Sequence, residues 1–256
     1  MVVPAERLAG WLRHPERSGV LTDFDGTIAP IVDDPASAAL SPGTDLVLAR
    51  LARRYALVGV ISGRPVAYLV ERIGEIPGLV LAGLYGLERT GADGDGEWAD
   101  APSWRTEVDD VAAAAEREVP SGVGVERKGL SLALHFRAVP EQGGWVQRWA
   151  AGRAQQSGLV AHPGKMSVEL RPPVETDKGT VVASLAAGLD RVCFLGDDRG
   201  DLPAFAALRG LAASGVDTLA VAVDSDEAPA ELLAAADVIV EGPEGAVAVL
   251  AALAGD

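Results

Sequence analysis

Three short segments carry most of the side chains in this chain that could do chemistry together: Asp23-Phe24-Asp25-Gly26-Thr27, Ser62-Gly63-Arg64 and Gly196-Asp197-Asp198-Arg199-Gly200-Asp201. Each follows a short apolar run, namely Val20-Leu21-Thr22, Leu57 through Ile61, and Val192 through Leu195. Ligands of open α/β sheets bind outside the carboxyl ends of the strands, so strands of this kind would deliver all three segments to one edge. Asp23 and Asp25 are two apart and project to the same side of an extended chain, while Asp197 and Asp201 can bracket one turn leading into a helix. Carboxylates massed in this way repel one another unless a cation sits among them. Oxygen ligands without a His or Cys cluster favour a hard cation, and Mg2+ suits a site where the substrate supplies a phosphate. The Ser62 hydroxyl and Lys178, in Thr176-Asp177-Lys178-Gly179-Thr180 just ahead of a helical stretch, are available to that phosphate, and a helix N-terminus adds backbone amides. Two residues keep two readings each: Arg64 either caps a helix with Pro65 or meets the substrate, and Asp201 either caps a helix or stands behind a metal ligand.

The elements that must position these residues follow a βαβ rhythm. Ser41-Pro42 opens a helix with an apolar stripe at Leu46, Leu48, Leu51 and Ala52. Pro65 opens another with Leu69, Val70 and Ile73, and Leu79 through Ala82 is a third strand. The rhythm breaks at the glycine-rich stretch 91–96, and Asp93-Gly94-Asp95-Gly96-Glu97 reads as a hairpin turn rather than a calcium loop. A helical stretch then covers Val108 through Glu118. Leu130, Leu132, Leu134 and Phe136 alternate with Ser131, Ala133, His135 and Arg137, and Met166, Val168 and Leu170 alternate with Ser167, Glu169 and Arg171. That period of two marks half-buried antiparallel strands with a charged face. From Lys178 the βαβ pattern resumes, with strands at Val192–Leu195, Leu219–Val223 and Val238–Val240. The fold class is α/β: a Rossmann-like parallel-sheet core of residues 1–98 and 175–256, interrupted by a smaller inserted α+β cap domain of residues 99–174. The joining stretches Gly96–Pro102 and Arg171–Asp177 carry Gly and Pro and are expected to hinge.

Composition narrows the function. With 48% hydrophobic residues, the 256-residue chain can bury a sizeable core. Its 37 acidic against 22 basic residues give a net charge of −15, a field that repels nucleic acid and anionic lipid. No nucleic-acid or membrane partner is expected, and a phosphorylated substrate would need cations gathered locally. No run approaches the ~18 apolar residues of a membrane span, and the protein is read as cytoplasmic and monomeric. The single cysteine, Cys193, lies in an apolar run and reads as a buried small hydrophobe. His14, His135 and His162 are scattered and read as structural or surface residues, and Trp145 and Trp149, four apart on a helix, as packing residues.

Asp23-Phe24-Asp25-Gly26-Thr27 resembles the first signature of the haloacid dehalogenase-like phosphohydrolases, and Ser62, Lys178 and Gly196-Asp197-Asp198 match the second, third and fourth in order. A finer resemblance is to the trehalose-6-phosphate phosphatase family. It rests on the segment running from Asp23 to Ile31, on Ile61-Ser62-Gly63-Arg64, and on Glu126-Arg127-Lys128-Gly129 with Leu134-His135-Phe136-Arg137. Gly164-Lys165-Met166-Ser167-Val168-Glu169-Leu170-Arg171-Pro172 and Asp177-Lys178-Gly179 complete it, so nearly the whole chain is spanned. Two positions depart from the family pattern: Tyr85 stands where His is expected, and Gly200 where Thr more often precedes the last Asp.

The resemblance implies a Mg2+-dependent phosphatase that hydrolyses trehalose 6-phosphate through an aspartyl-phosphate, with a sugar phosphate as its small-molecule partner. Asp23 would be the nucleophile and Asp25 the acid and base, while Ser62 and Lys178 hold phosphate oxygens. Asp23, the carbonyl of Asp25 and Asp197 would bind metal, with Asp198 or Asp201 binding directly or through water. Arg64, Glu126, Lys128, Arg137, Lys165 and Glu169 would bind substrate. A phosphatase of another disaccharide or glycosyl phosphate is the alternative, a phosphomutase a further class, and a non-enzymatic binding protein a third.

Overall fold

The computed structural model describes residues 5–32, 37–90, 96–97, 101–225 and 228–255. Two compact units result, one of residues 1–96 with 176–256 and one of residues 97–175. Of the hairpin turn expected over 93–97, residues 93–95 lie outside the described residues, and Gly96–Glu97 form a short strand.

In the first unit the strands are β1 (Ser18–Thr22), β2 (Leu57–Ile61), β3 (Leu79–Gly83), β4 (Glu88–Arg89) and β5 (Gly96–Glu97), the last reaching one residue beyond it. In the second they are β6 (Gly124–Arg127), β7 (Leu132–His135), β8 (Val160–Gly164) and β9 (Ser167–Arg171). The first unit resumes with β10 (Arg191–Gly196), β11 (Asp217–Asp224) and β12 (Val238–Glu241). The helices are α1 (Ala5–Arg13), α2 (Thr44–Arg54), α3 (Val66–Ile73), α4 (Ala101–Glu118), α5 (Gly143–Ser157), α6 (Lys178–Leu185), α7 (Leu202–Ala213), α8 (Ala230–Ala235) and α9 (Gly242–Ala254). None of them is long and apolar enough to cross a membrane among the described residues.

The larger sheet has the order β12-β11-β10-β1-β2-β3-β4-β5 and is parallel from β12 to β3. Parallel strands covered on both faces must be apolar on both, and β1 is buried at all five positions. Val20, Val58, Leu81, Cys193 and Val221 pack on one face against Leu48 and Leu51 of α2, Leu69 of α3 and Leu250 of α9. Leu21, Ile61, Phe194 and Ala222 pack on the other against Val182 of α6 and Phe205 and Leu208 of α7. Leu46, placed on the buried stripe of α2 by its spacing, is instead 63% exposed. The helix starts at Thr44 after a left-handed Gly43, and its inner face is Thr44, Val47, Leu48 and Leu51.

The second unit has a four-stranded antiparallel sheet in the order β6-β7-β9-β8. One face carries Leu132, Leu134, Val168 and Leu170 and packs on Val108, Val111 and Ala115 of α4 and Val146 and Ala150 of α5. Trp145 and Trp149 stack with centroids 6.1 Å apart and pack against that core, and Cys193 is fully buried in the first unit's.

Candidate active site

The chain leaves β1 toward β2 and β3 and returns through β10 toward β11 and β12, so the strand order reverses between the parallel neighbours β1 and β10. Open α/β sheets bind ligands there, beyond the carboxyl ends. Asp23 follows the last residue of β1 and Asp197 the last of β10, and the Asp23 amide donates to the Leu195 carbonyl at 2.9 Å. The turn after β1 is tight: the amides of Ile28 and Ala29 both donate to the Phe24 carbonyl, and that of Gly26 to Ala29. Gly26 has a φ of +75°, and a Cβ there would lie 2.0 Å from Asp197 Oδ2. Only glycine lets this turn close against the Asp197 carboxylate.

Four charged side chains meet at this point, and each is almost wholly out of solvent: Asp23, Asp197, Asp201 and Lys178. Lys178 Nζ lies 2.8 Å from Asp23 Oδ1 and 2.7 Å from Asp201 Oδ1. The other oxygen of Asp201 accepts from the amides of Asp197 at 2.8 Å and Asp198 at 3.1 Å. Asp201 therefore spends both oxygens on protein donors, straightening the turn that presents Asp197. Asp197 Oδ1 accepts from Thr27 Oγ1 at 2.8 Å. Thr27 had no role assigned from sequence, although its place in the first segment was the available signal.

Carboxylate oxygens of Asp23, Asp197 and Asp201 all lie within 4.8 Å of one another. Burial, then repulsion from Asp201, pushes the Asp197 carboxyl up to about 7. Asp23 is likewise raised well above its ordinary value, by burial against the pull of Lys178 and with added repulsion from Asp201 and Asp197. Burial opposes the charge of Lys178, yet Asp201 and Asp23 hold its pKa well above the ordinary one. Three carboxylates facing one ammonium leave two negative charges, which a divalent cation would balance, and the donors are all oxygen. The residues present fit a hard divalent ion such as Mg2+.

The remaining predicted residues divide into three groups. Asp25 lies outside the cluster of three: its carboxylate takes both arms of the Arg64 guanidinium, at 2.8 and 2.9 Å, and Arg64 also stacks on Tyr68 at 4.6 Å. Ser62 is buried beyond the end of β2, with its hydroxyl accepting from the Arg64 amide. Asp198 is exposed and caps the turn Arg199–Asp201 by accepting from the Gly200 amide at 2.8 Å.

In the second unit, Glu126, Lys128 and Glu169 come together on the polar sheet face. Lys128 Nζ is 3.8 Å from both Glu126 Oε2 and Glu169 Oε1, and Glu169 accepts from Ser131 Oγ at 2.7 Å. His135, read as structural or surface, lies 2.8 Å from Glu126 Oε2 and joins this group; its alternation with Leu134 was the signal. Arg137 and Lys165 are exposed on turns that follow β7 and β8.

Residues 21–238 match a family model described as trehalose-phosphatase. A trehalose-phosphate phosphatase of Mycobacterium avium is 37% identical over 245 residues, covering 90% of this chain. The chain spans 60% of the length of that relative. A trehalose-6-phosphate phosphatase structure from Aspergillus fumigatus superposes with a TM-score of 0.68 at 27% identity, over 99% of this chain and 98% of that one. The C-terminal domain of the Candida albicans trehalose-6-phosphate phosphatase gives 0.75 at 24% identity, over 99% and 97%. These similarities fit a parallel sheet that ends in a buried carboxylate cluster.

Proposed function

We propose, from the premise that this chain belongs to the trehalose-phosphatase family, that it hydrolyses trehalose 6-phosphate to trehalose and phosphate. The observation that carries this reading is the buried Lys178 bridging Asp23 and Asp201 at the switch point of the sheet. A nucleophilic carboxylate facing a phosphate dianion needs a fixed cation beside it, and Lys178 is that cation.

In the proposed reaction Asp23 Oδ attacks phosphorus and the bond to the sugar oxygen breaks, with Asp25 giving that oxygen its proton. Asp25 then takes a proton from water, whose oxygen attacks the phosphorus of the aspartyl-phosphate and frees both Asp23 and inorganic phosphate. Arg64 meets the Asp25 carboxylate at both oxygens and orients it, a pairing that opens at one oxygen for Asp25 to carry the proton it gives, and Ser62 and Lys178 hold phosphate oxygens. Asp23, Asp197 and the Asp25 carbonyl would hold Mg2+, with Asp201 orienting Asp197 from behind and Asp198 reached through water. The bound ion supplies charge neutralisation at the phosphate. Glu126, Lys128 and Glu169 alternate acceptor, donor and acceptor on one sheet face, a pattern suited to sugar hydroxyls, and Arg137 and Lys165 would add donors at its edge.

The test is phosphate release from the purified protein with Mg2+, comparing trehalose 6-phosphate with sucrose 6-phosphate, glucosyl phosphoglycerate and glucose 6-phosphate. Preference for trehalose 6-phosphate is expected. Preference for another disaccharide or glycosyl phosphate would keep the catalytic assignments and move the sugar assignment, and inactivity on all four would sink the reading. Asp23→Asn should remove turnover by at least ~10³-fold while leaving the protein folded, and an active, folded Asn variant would overturn the nucleophile.

A further inference from the structure

Between the two proposed phosphate-holding groups, Ser62 and Lys178, stands a short turn, Leu84–Gly86, whose first two residues are backbone outliers. Leu84 has a φ of +49° and Tyr85 of +58°, the left-handed region that side chains other than glycine rarely enter. Conformations of this kind persist only where the surroundings over-determine them.

Here the surroundings are the site's own supports. On one side the Tyr85 amide donates to the Ser62 carbonyl at 3.0 Å, and the Leu84 amide to the Arg64 carbonyl at 3.0 Å. The Tyr85 ring lies on Gly63: a Cβ there would sit 2.7 Å from the phenol oxygen and 2.8 Å from Cζ. On the other side the Tyr85 carbonyl accepts from Thr176 Oγ1 at 2.6 Å. Thr176 adjoins Asp177, which caps α6 by accepting from the Thr180 amide at 2.8 Å, and Lys178 is the first residue of that helix. Gly86 closes the contact, since a Cβ on it would lie 2.5 Å from Val181 of α6.

We infer that Tyr85, with Thr176, is a positioning residue: the left-handed turn is a strut that sets the Ser62 loop and the Lys178 end of α6 against each other. This rests on the phosphatase reading above, because that reading makes Ser62 and Lys178 phosphate ligands. The strut acts on the phosphate rather than on the sugar. Its failure should therefore weaken binding of every phosphate ester and of inorganic phosphate alike.

The experiment measures binding of inorganic phosphate by calorimetry with Mg2+ present, for the wild type, Tyr85→Gly, Thr176→Val and the double variant. KM and kcat are measured beside it. Tyr85→Gly removes the ring and also relieves the left-handed strain, so it tests the strut without a folding penalty from that backbone. Thr176→Val deletes one hydroxyl and keeps the shape. Each single variant should raise Kd for phosphate and KM roughly tenfold, short of the hundredfold that an ångström of misplacement can cost. The double variant should lose no more than the worse single, because both act through one element. Restoring the ring with Tyr85→Phe should recover most of what Tyr85→Gly loses. Unchanged Kd in folded single variants, or losses that multiply in the double, would overturn the strut. A wild type that binds phosphate but hydrolyses no ester would instead overturn the phosphatase reading, and the Kd comparison would still decide the strut. A wild type that does not bind phosphate at all would overturn the strut outright.

Discussion

Lys178 is held between two buried carboxylates, so its charge matters to the fold as well as to the proposed chemistry. Lys178→Met would leave Asp23 and Asp201 buried without their counter-charge, a change that costs about 3–5 kcal/mol. Urea unfolding in a chelator should show that loss, and a variant of wild-type stability would mean the carboxylates are not ionised around Lys178. Asp197 sets a pH dependence. An acid whose pKa rises on folding binds its proton more tightly in the folded state, so its contribution favours the fold at low pH. That contribution fades as the pH climbs from the ordinary aspartate range through about 7. A divalent cation competes with that proton, so the rise in melting temperature given by Mg2+ over chelator should be larger at pH 8 than at pH 5. An equal or smaller rise at pH 8 would contradict the assignment. Asp23, Asp25, Ser62 and Asp197 can be singled out in the sequence by residue type and place after a strand, and Lys178 by its place at the start of a helix. The division of labour among the acids was not legible there, since it depends on which oxygen meets Lys178, Thr27 or a backbone amide, and the Asp23–Lys178 and Thr27–Asp197 contacts each join residues more than a hundred apart in the chain.

At the scale of elements, α6 depends on its first turn. Asp177 and Thr180 form a reciprocal cap, with Asp177 Oδ1 accepting from the Thr180 amide and Thr180 Oγ1 from that of Asp177. Asp177→Ala should cost about 0.5–2 kcal/mol by denaturant unfolding. It should also weaken phosphate binding, because Lys178 is the next residue; a stability loss with phosphate affinity intact would separate the cap from the site. The parallel strands and α3 were readable from apolar runs and from Pro65. Strands β6 and β8 were not, and their composition explains it: β8 is Val-Ala-His-Pro-Gly and β6 Gly-Val-Glu-Arg, each with a single β-branched residue and no apolar alternation. They are strands because β7 and β9 offer them edges, a tertiary cause that local pattern does not carry. The same holds for Leu46, whose spacing fitted a stripe while α2 buries Thr44, Val47, Leu48 and Leu51 and leaves Leu46 exposed.

For the whole molecule, the net charge of −15 opposes the approach of a phosphate dianion, while Lys178 and the proposed ion attract it only at close range. Added salt screens the long-range term more than the buried one. At fixed Mg2+, moving from low to physiological ionic strength should therefore lower KM for the phosphate ester; a steep rise in KM would mean that an exposed basic patch guides the substrate instead. The division into an interrupted parallel-sheet unit and an inserted antiparallel one was legible, because the hydrophobic period changes from continuous runs to strict alternation and back. The interruption bears on synthesis. Strand β1 is flanked by β2, made soon after it, and by β10, with Val20 paired to Cys193. At ordinary ribosomal speeds that second neighbour emerges roughly 10–35 seconds later. By the end of that interval the nascent chain holds β1 to β3 with β1 open on one side, while residues 97–175, contiguous in the chain, have all their own strands in hand. The central sheet can close on β1 only after β10 has been made, later than every strand of the inserted unit.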